Sequence, residues 1–262
     1  MKENFQDNFY GNKETSPDPL SEFNQEQIIE KELKKQALEN KASFFARLEK
    51  EGLPKESLQI IDFAYDLSKA AHQLQYRDTG ERYFEHLRAV SLILIDECTM
   101  LDPEMIIAAL NHDAIEDTAI FGNRSTPFSQ WKATADFRLS KVFNPSTANM
   151  VITLTKPKAD GEEIKDDKEA HDIYISNLEN TKDLRIILIK MADRLHNLRT
   201  LPGTTPEKQR RIVKETEEIY FPIFKRVVEK YPKEGNYLLD EMMVAMSVLD
   251  IDKKESFLKE AA

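Results

Sequence analysis

The stretch IIDFAYDLSKAAHQL, residues 60–74, decides the fold class. Its apolar side chains recur every three or four residues, the spacing that lines one face of an α-helix. These residues are Ile60, Ala64, Leu67, Ala71 and Leu74. Comparable spacing returns between the seven glycines, whereas the strict alternation typical of strands is scarce. The chain is therefore predicted to be all-α, a compact bundle of many helices.

Helix signals divide the rest of the chain. Pro54 suits the first turn of a helix that runs to about residue 76. A charged helix is predicted before residue 50, and the highly charged residues 156–182 are predicted to form a mobile loop that leads into a helix. Further helices are predicted at about 84–99, 103–117, 127–143, 146–155, 182–201, 207–230 and 236–259. Residues 1–25 are polar and predict a flexible arm, followed by one domain over residues 26–262.

Composition excludes several classes of protein. A net charge of −10 argues against wrapping nucleic acid, which requires a basic face. No apolar run approaches the roughly 18 residues that span a bilayer, and the N-terminus lacks the apolar segment of a secretory signal, so we expect a cytoplasmic protein. Cys98 is the only cysteine, which excludes an internal disulfide and a cysteine metal cluster. Any metal must be held by histidines and carboxylates.

The segment MIIAALNHDAIEDT, residues 105–118, carries the first chemical signal. An apolar helix leads into His112, Asp113, Glu116 and Asp117. If the helix continues, spacings of three and four residues place His112, Asp113 and Glu116 on one side. Unpaired carboxylates this close raise one another's pKa, and a divalent cation would relieve the repulsion.

Two other segments supply matching groups. In ILIKMADRLHNLRTL, residues 187–201, an apolar run leads into Asp193, with Asn197 one turn later; in YFEHLRAVSLIL, residues 83–94, His86 begins an apolar helix. Two histidines and two aspartates suit a hard or borderline divalent ion with positions left for water and substrate. Spacing alone also allows the plainer interpretation, in which His72 or His86 only packs in the core and the acids are solvated at a helix end.

Four ordered motifs resemble the hydrolase domain of the Rel/Spo alarmone enzymes, a branch of the HD metal-dependent phosphohydrolases. AALNHDAIEDT, residues 108–118, is similar to the LLHDVVEDT motif of that family. The other three are AAHQLQYRDTGERYFEHLRAV (70–90), IILIKMADRLHNLRTL (186–201) and TPEKQRRIVKETEEIYFPI (205–223). The similarity covers about residues 55–230 and implies an HD-type bundle with a metal site between helices.

The resemblance also implies roles for individual residues. The metal ligands would be His86, His112, Asp113 and Asp193, with manganese as the usual ion and His72 outside the set. Glu116 and Asp117 match the catalytic acidic pair, which would orient and deprotonate a water. The implied reaction removes pyrophosphate from the 3′ position of ppGpp or pppGpp, and a stand-alone small alarmone hydrolase that lowers alarmone levels is expected.

Substrate contacts follow from the same resemblance. Arg77 matches an arginine that packs over the nucleobase, and Asn197 matches a residue that contacts the nucleoside. Tyr83 either lines this pocket or packs in the core. Lys190 and Arg194 either supply positive charge near Asp193 or pair with an acid. His196 is expected to pack behind the ligands, and His171 to lie in a loop.

Alternative functions stay open. Asp78 stands where the family commonly has a basic residue, which suggests another nucleotide, either a ppApp-type alarmone or the phosphate of NADPH. An antitoxin-like binding protein that acts through its N-terminal arm is the alternative from another class. The final helix places Leu238, Met242, Met246 and Leu249 on one stripe that would close the core, with self-association into a homo-oligomer as the alternative.

Overall fold

The computed structural model describes residues 39–249. The predicted N-terminal arm and residues 250–259 of the last predicted helix lie outside this range. Between residues 39 and 249 the only extended pairing is one isolated bridge between Tyr76 and Arg82. The all-α prediction is confirmed. None of the helices in this range is both long enough and apolar enough to cross a membrane.

The helices occur in the following order along the chain. They are α1 (Lys41–Lys50), α2 (Lys55–Ala71), α3 (Tyr83–Leu92), α4 (Pro103–Leu110), α5 (Ala114–Asp117), α6 (Phe128–Val142), α7 (Pro145–Leu154), α8 (Asp167–Asn180), α9 (Leu184–Thr200), α10 (Pro206–Glu215), α11 (Phe221–Lys230) and α12 (Pro232–Ser247). A π-helical turn, Ile93–Glu97, extends α3, and another, Thr216–Tyr220, joins α10 to α11. The predicted helix over 207–230 is therefore helical throughout, but it changes to a π-helical turn just before Pro222, which has no backbone N–H to donate.

The helix that contains most of residues 60–74 ends earlier than predicted. Helix α2 stops at Ala71, and Leu74, assigned to its apolar face, is 85% exposed. The buried residues of α2 are Ile61, Ala64, Tyr65 and Ser68, a stripe shifted from the predicted one. The chain reverses here because residues 75–83 form a tight turn, in which the amide of Tyr83 donates to the carbonyl of Gln75 at 3.0 Å. This reversal brings the start of α3 back beside the end of α2.

The predicted helix over 103–117 is broken in the middle. Helix α4 ends at Leu110, residues 111–113 form a turn, and α5 is a single turn of four residues. The side chain of Asn111 donates to the carbonyl of Ile107 at 2.9 Å, and His112 Nδ1 donates to the carbonyl of Ala109 at 2.8 Å. These side chains occupy carbonyls that the next helical turn would have used. The prediction that His112, Asp113 and Glu116 share one helix face was therefore wrong.

Residues 156–182 are more ordered than predicted. Helix α8 begins after Asp166, whose side chain accepts the amide of Glu169 at 2.8 Å as an N-cap. Its buried residues are Ala170, Tyr174 and Leu178. His171, predicted in a loop, lies on this helix. The charged composition concealed an apolar stripe with helical spacing.

Helix α9 is the centre of the larger hydrophobic core. It packs against α3, α4, α7, α11 and α12, and most of its residues are buried. The predicted closure of the core by the last helix is confirmed, because Leu238, Met242 and Leu249 are buried and Met246 packs beside them. A further apolar cluster joins α1 and α2 to α3 and α4. Polar residues on α9 consequently lie inside the molecule, and this position creates the site.

Candidate active site

Side chains from three places in the fold converge between α3, α4 and α9. They are His86 on α3, His112 and Asp113 in the turn before α5, and Asp193 on α9. His86 Nε2 lies 3.2 Å from Asp193 Oδ1 and 3.8 Å from Asp113 Oδ2. His112 Nε2 lies 3.3 Å from Asp113 Oδ2 and 3.8 Å from Asp193 Oδ1. We call these four residues the His/Asp cluster.

The hydrogen bonding of His112 indicates that the cluster fits a cation. A carbonyl only accepts, so Nδ1, bonded to the carbonyl of Ala109, carries the proton and Nε2 presents a lone pair. Nε2 is buried and has no hydrogen-bond partner among residues 39–249. Burial lowers the pKa of this histidine, but the carboxylates of Asp113 and Asp193 outweigh burial and raise it well above its ordinary value. A lone pair that faces two carboxylates requires a proton or a metal ion between them.

The side chain of His196 holds the ring of His86 in its orientation. Its Nδ1 lies 2.8 Å from Nδ1 of His196, which is fully buried, while its Nε2 faces Asp193. When His86 donates from Nδ1, its Nε2 keeps a lone pair directed at the cluster. His196 Nδ1 also lies 3.2 Å from a guanidinium nitrogen of Arg77. His196 therefore joins the cluster to the neighbouring pocket.

Asp193 is kept ionised by contacts on both carboxylate oxygens. Lys190 Nζ lies 2.7 Å from Oδ2, and the side-chain amide of Asn197 donates to Oδ1 at 2.7 Å. Burial would raise the pKa of Asp193, but the Lys190 ammonium and the neighbouring His112 and His86 together outweigh burial and hold this pKa well below its usual range. The same ammonium lies 5.5 Å from the ring centroids of both Tyr174 and Tyr220.

The predicted acidic pair lies on α5, beside the cluster. Burial, and secondarily the Asp113 carboxylate, raises the pKa of Glu116 to about 7. The same causes raise the pKa of Asp117. Glu116 Oε1 accepts the backbone amide of Lys156, and the backbone carbonyl of Asp117 accepts the side-chain amide of Gln75 at 2.6 Å. Both acids thus occupy defined positions.

A cavity of about 230 Å³ opens onto the cluster. Its walls carry both signs of charge and three tyrosines from different segments of the chain. The lining residues are Arg77, Tyr83, His86, Asp113, Glu116, Leu154, Lys156, Tyr174, Lys190, Asp193, Asn197 and Tyr220. Most of the site residues predicted from the sequence meet here, with His112 directly behind the wall.

A neighbouring cavity of about 230 Å³ shares Arg77 and Asn197 with the first. The Arg77 guanidinium is held by Glu81 at 2.7 Å and by the Asn197 side-chain oxygen at 2.6 Å. Arg77 and Asn197 therefore form the border between the two cavities. Asp78 and Lys208 also line the second cavity and form an ion pair at 2.6 Å.

Tyr83 lines the cavity and also packs against a buried side chain. Its hydroxyl donates to Asp113 Oδ2 at 2.9 Å, and its ring stacks on His72 with centroids 5.0 Å apart. His72 is buried and bonds through Nδ1 to Gln75 at 2.6 Å. His72 therefore lies behind Tyr83 and outside the His/Asp cluster.

Arg194 does not line the cavity at the cluster. Its guanidinium pairs with Glu215 at 3.1 Å and lies 4.0 Å from the ring centroid of Tyr220. It lines the second cavity instead. Of the two cations considered for Asp193, only Lys190 forms the close ion pair, because it lies three residues before Asp193 on the same side of α9, whereas adjacent residues such as Asp193 and Arg194 do not face each other.

Sequence reasoning missed several residues of the site. Lys156 lies two residues after the end of α7, and nothing in its local sequence indicates that its amide reaches Glu116. Tyr174 was hidden in the supposed loop, although its spacing from Ala170 and Leu178 is a helical signal. Gln75 lies in a quoted motif, but only its contact with Asp117 reveals its place.

Comparisons with known proteins agree with this geometry. The HD domain family matches residues 64–227, more than half of the chain and all of the His/Asp cluster. The chain belongs to the HD domain family. HD domains are metal-dependent, and this one brings His86, His112 and Asp193 together with one ligand atom each within 4.8 Å of the others.

Curated relatives of this HD domain include proteins of alarmone metabolism. It is 36% identical over 178 residues to the bifunctional (p)ppGpp synthase/hydrolase SpoT of Escherichia coli K12, covering 67% of this chain and 23% of that protein. It is 36% identical over 165 residues to a probable guanosine-3′,5′-bis(diphosphate) 3′-pyrophosphohydrolase of Synechocystis, covering 63% and 19%. The chain thus spans about a quarter or less of the length of these relatives. They confirm the resemblance to the Rel/Spo hydrolases.

A solved structure, a metazoan orthologue of SpoT described as hydrolysing ppGpp, is 22% identical. The comparison covers 78% of this chain and 97% of that chain, with a TM-score of 0.43.

Proposed function

We propose that this HD domain hydrolyses the 3′-diphosphate of ppGpp and pppGpp with a divalent ion held by the His/Asp cluster. The observation that supports this most is the cluster itself, which faces a polar cavity beside Glu116. The names of the curated relatives supply the substrate class. We further propose manganese as the ion, because two imidazoles and two carboxylates suit a borderline divalent metal.

The residues of the cavity can account for the chemistry. A divalent ion bound there would offset charge on the phosphoryl oxygens and lower the pKa of water. The oxygen of a water bonds to the phosphorus next to the ribose, the bond from that phosphorus to the 3′ oxygen breaks, and the 3′ oxygen takes up a proton. The products are GDP or GTP and pyrophosphate. Glu116, with a pKa of about 7, can accept the water's proton near neutral pH, and Asp117 beside it completes the acidic pair.

The cations of the cavity suit an anionic substrate. Lys190 and Arg77 both line it, and the boundary formed by Arg77 and Asn197 leads into the second cavity. We propose that the 3′-diphosphate occupies the first cavity and the nucleoside extends toward the second, with Tyr83 along the wall. Arg194, which faces the second cavity, would then act on the nucleoside side.

An ion pair at Asp78 weakens the main reason for expecting a nucleotide other than a guanine alarmone. Asp78, in place of a basic residue, was expected to weaken the attraction for an anionic nucleotide, but its carboxylate is paired with Lys208 at 2.6 Å. The pair is exposed and close to neutral as a unit, so it does not oppose a phosphorylated ligand. The guanine alarmones therefore stay the first candidates, and ppApp and NADPH become comparison substrates.

Product analysis tests the proposal. The purified protein is incubated with Mn²⁺ and ppGpp, and in parallel with ppApp and NADPH, and pyrophosphate and nucleotide products are quantified. We expect GDP and pyrophosphate from ppGpp. Asp113→Ala should abolish both turnover and Mn²⁺ retention, whereas Asp136→Ala, which removes an exposed carboxylate from α6, should change neither. Absence of pyrophosphate release, where a known hydrolase is active, would refute the proposal.

A further inference from the structure

Arg124 lies outside every motif that suggested the site, between α5 and α6. Its Nε and Nη2 donate to the backbone carbonyl of Glu116 at 3.0 and 2.6 Å. Its Nη1 donates to the carbonyl of Lys156 at 2.9 Å and lies 3.6 Å from the Glu116 carboxylate. One guanidinium thus connects Lys156, two residues after α7, to the helix that carries the acidic pair.

A further hydrogen bond links Lys156 directly to the Glu116 side chain. The backbone amide of Lys156 donates to Glu116 Oε1, so Lys156 contacts both Arg124 and the Glu116 side chain. The carboxylate and the main chain of Glu116 are therefore held by the same two neighbours. A shift of either neighbour would move the carboxylate relative to the His/Asp cluster.

Helix α5 depends on such outside contacts. It is four residues long and follows a non-helical turn, too short to be stable through its own hydrogen bonds. The segment that carries Arg124 is itself anchored: Phe121 is buried, and a Cβ added at Gly122 would lie 3.3 Å from the carbonyl of Trp131 on α6. The packing of this segment against α6 therefore holds Arg124 in place, and the hydrogen bonds of Arg124 hold Glu116.

Only arginine suits this position. Its planar guanidinium presents N–H donors along two different edges, which allows it to bond two carbonyls from separate segments at once. A lysine would keep the positive charge but would provide a single ammonium group. Charge and geometry can therefore be separated experimentally.

We propose that Arg124 is a positioning residue that sets the place of the Glu116 carboxylate by tying α5 to Lys156. This inference rests on the proposed function, in which Glu116 takes a proton from the attacking water. Arg124 makes these contacts from the segment between α5 and α6, which lies outside the four motifs.

The test compares Arg124→Ala and Arg124→Lys with Arg138→Ala. Arg138 is the matched control, because it is an exposed arginine on α6 whose Nη1 lies 3.5 Å from the carbonyl of Ile120 in the same segment. We expect kcat to fall about 10- to 100-fold in both Arg124 variants, since a displacement of about 1 Å in a catalytic group costs this much. KM and Mn²⁺ affinity should change less than about threefold. Low concentrations of guanidinium should partly restore kcat of Arg124→Ala, and Arg138→Ala should match the wild type.

The outcomes separate this inference from the proposed function. If the wild type hydrolyses ppGpp and the Arg124 variants keep its kcat, the positioning role is refuted. Parallel losses of kcat, Mn²⁺ affinity and thermal stability would also refute it, because they indicate a merely structural role. If the wild type releases no pyrophosphate, the proposed function fails, and a crystal structure of Arg124→Ala still decides: a displaced Glu116 carboxylate supports the positioning role and an unmoved one refutes it.

Discussion

His196 controls the orientation of a candidate metal ligand without belonging to the His/Asp cluster. Its Nδ1 is the partner of His86 Nδ1 at 2.8 Å. We predict that His196→Ala weakens Mn²⁺ binding by about 10- to 100-fold, the usual effect of removing a group that orients a metal-bound histidine. His196→Asn, whose amide oxygen can replace the accepting nitrogen, should retain most of the affinity.

Calorimetric titration of the metal-free protein measures this effect. His171→Ala is the control, because His171 is a partly exposed histidine on α8, away from the cluster. Equal Mn²⁺ affinities for His196→Ala and the wild type would contradict the orienting role.

Lys190 balances a buried charge. Lys190→Met keeps the length of the side chain but leaves Asp193 without its closest cation. We predict that the metal-free variant loses about 3–5 kcal/mol in free energy of unfolding, as expected when one partner of a buried ion pair is removed. Saturating Mn²⁺ should recover part of this loss, because the ion stabilises the folded state and replaces the missing charge.

Urea unfolding with and without Mn²⁺ measures both quantities. The control is Lys168→Met, since its pair with Asp172 on α8 is exposed to solvent and should contribute little to stability. Similar losses in the two variants would show that Asp193 is not dependent on Lys190.

Helix α8 brings Tyr174 to the cavity and depends on its N-cap. The Asp166 side chain accepts the amide of Glu169 at 2.8 Å. We predict that Asp166→Ala lowers the free energy of unfolding by about 1 kcal/mol, the typical cost of losing a cap. Asp167→Ala, which removes an exposed carboxylate from the next position, should cost about half of this or less, because it affects only the interaction with the helix dipole.

Chemical denaturation compares the two α8 variants under identical conditions. Equal effects would contradict the assignment of Asp166 as the cap.

Arg199 forms ion pairs that link three of the helical segments around the site. It donates to both carboxylate oxygens of Glu97 at 2.9 Å and to Glu241 at 2.7 Å, and the Tyr237 hydroxyl donates to Glu97 at 2.7 Å. These contacts connect α9 to the end of α3 and to α12. We predict that Arg199→Met costs about 3–5 kcal/mol of unfolding free energy, because carboxylates are left in a partly buried position without their cation.

Thermal and urea unfolding measure the loss at Arg199. Lys214→Met is the control, as its exposed contact with Glu218 at 3.9 Å should contribute less than about 0.5 kcal/mol. The folded fraction of Arg199→Met should still bind Mn²⁺ with wild-type affinity, because Arg199 contacts none of the four cluster residues in the hydrogen bonds and ion pairs described for residues 39–249.

Much of the helical architecture can be read from the sequence. Apolar spacing of three and four residues, prolines in first turns, and capping residues such as Asp102 and Asn144 are local signals, and most predicted helices appear near their expected places. Errors arose where side chains or turns competed with the helix. Leu74 was placed on a helix that ends at Ala71, and the helix through His112 was broken by side chains that bond its carbonyls.

The types of residue at the site could also be read from the motifs, and their assigned roles stay predictions. Their arrangement could not be derived, because it depends on contacts between segments far apart in the chain. Local sequence indicated that His86 and Asp193 could enter the core, since His86 lies at the start of an apolar helix and Asp193 lies within one. Packing of α3 and α4 against α9 established which atoms face one another, which histidine nitrogen is left free, and that Arg124 reaches Glu116. Periodicity is a local property of the chain, whereas burial, pKa and hydrogen-bond partners exist only once distant segments have packed together.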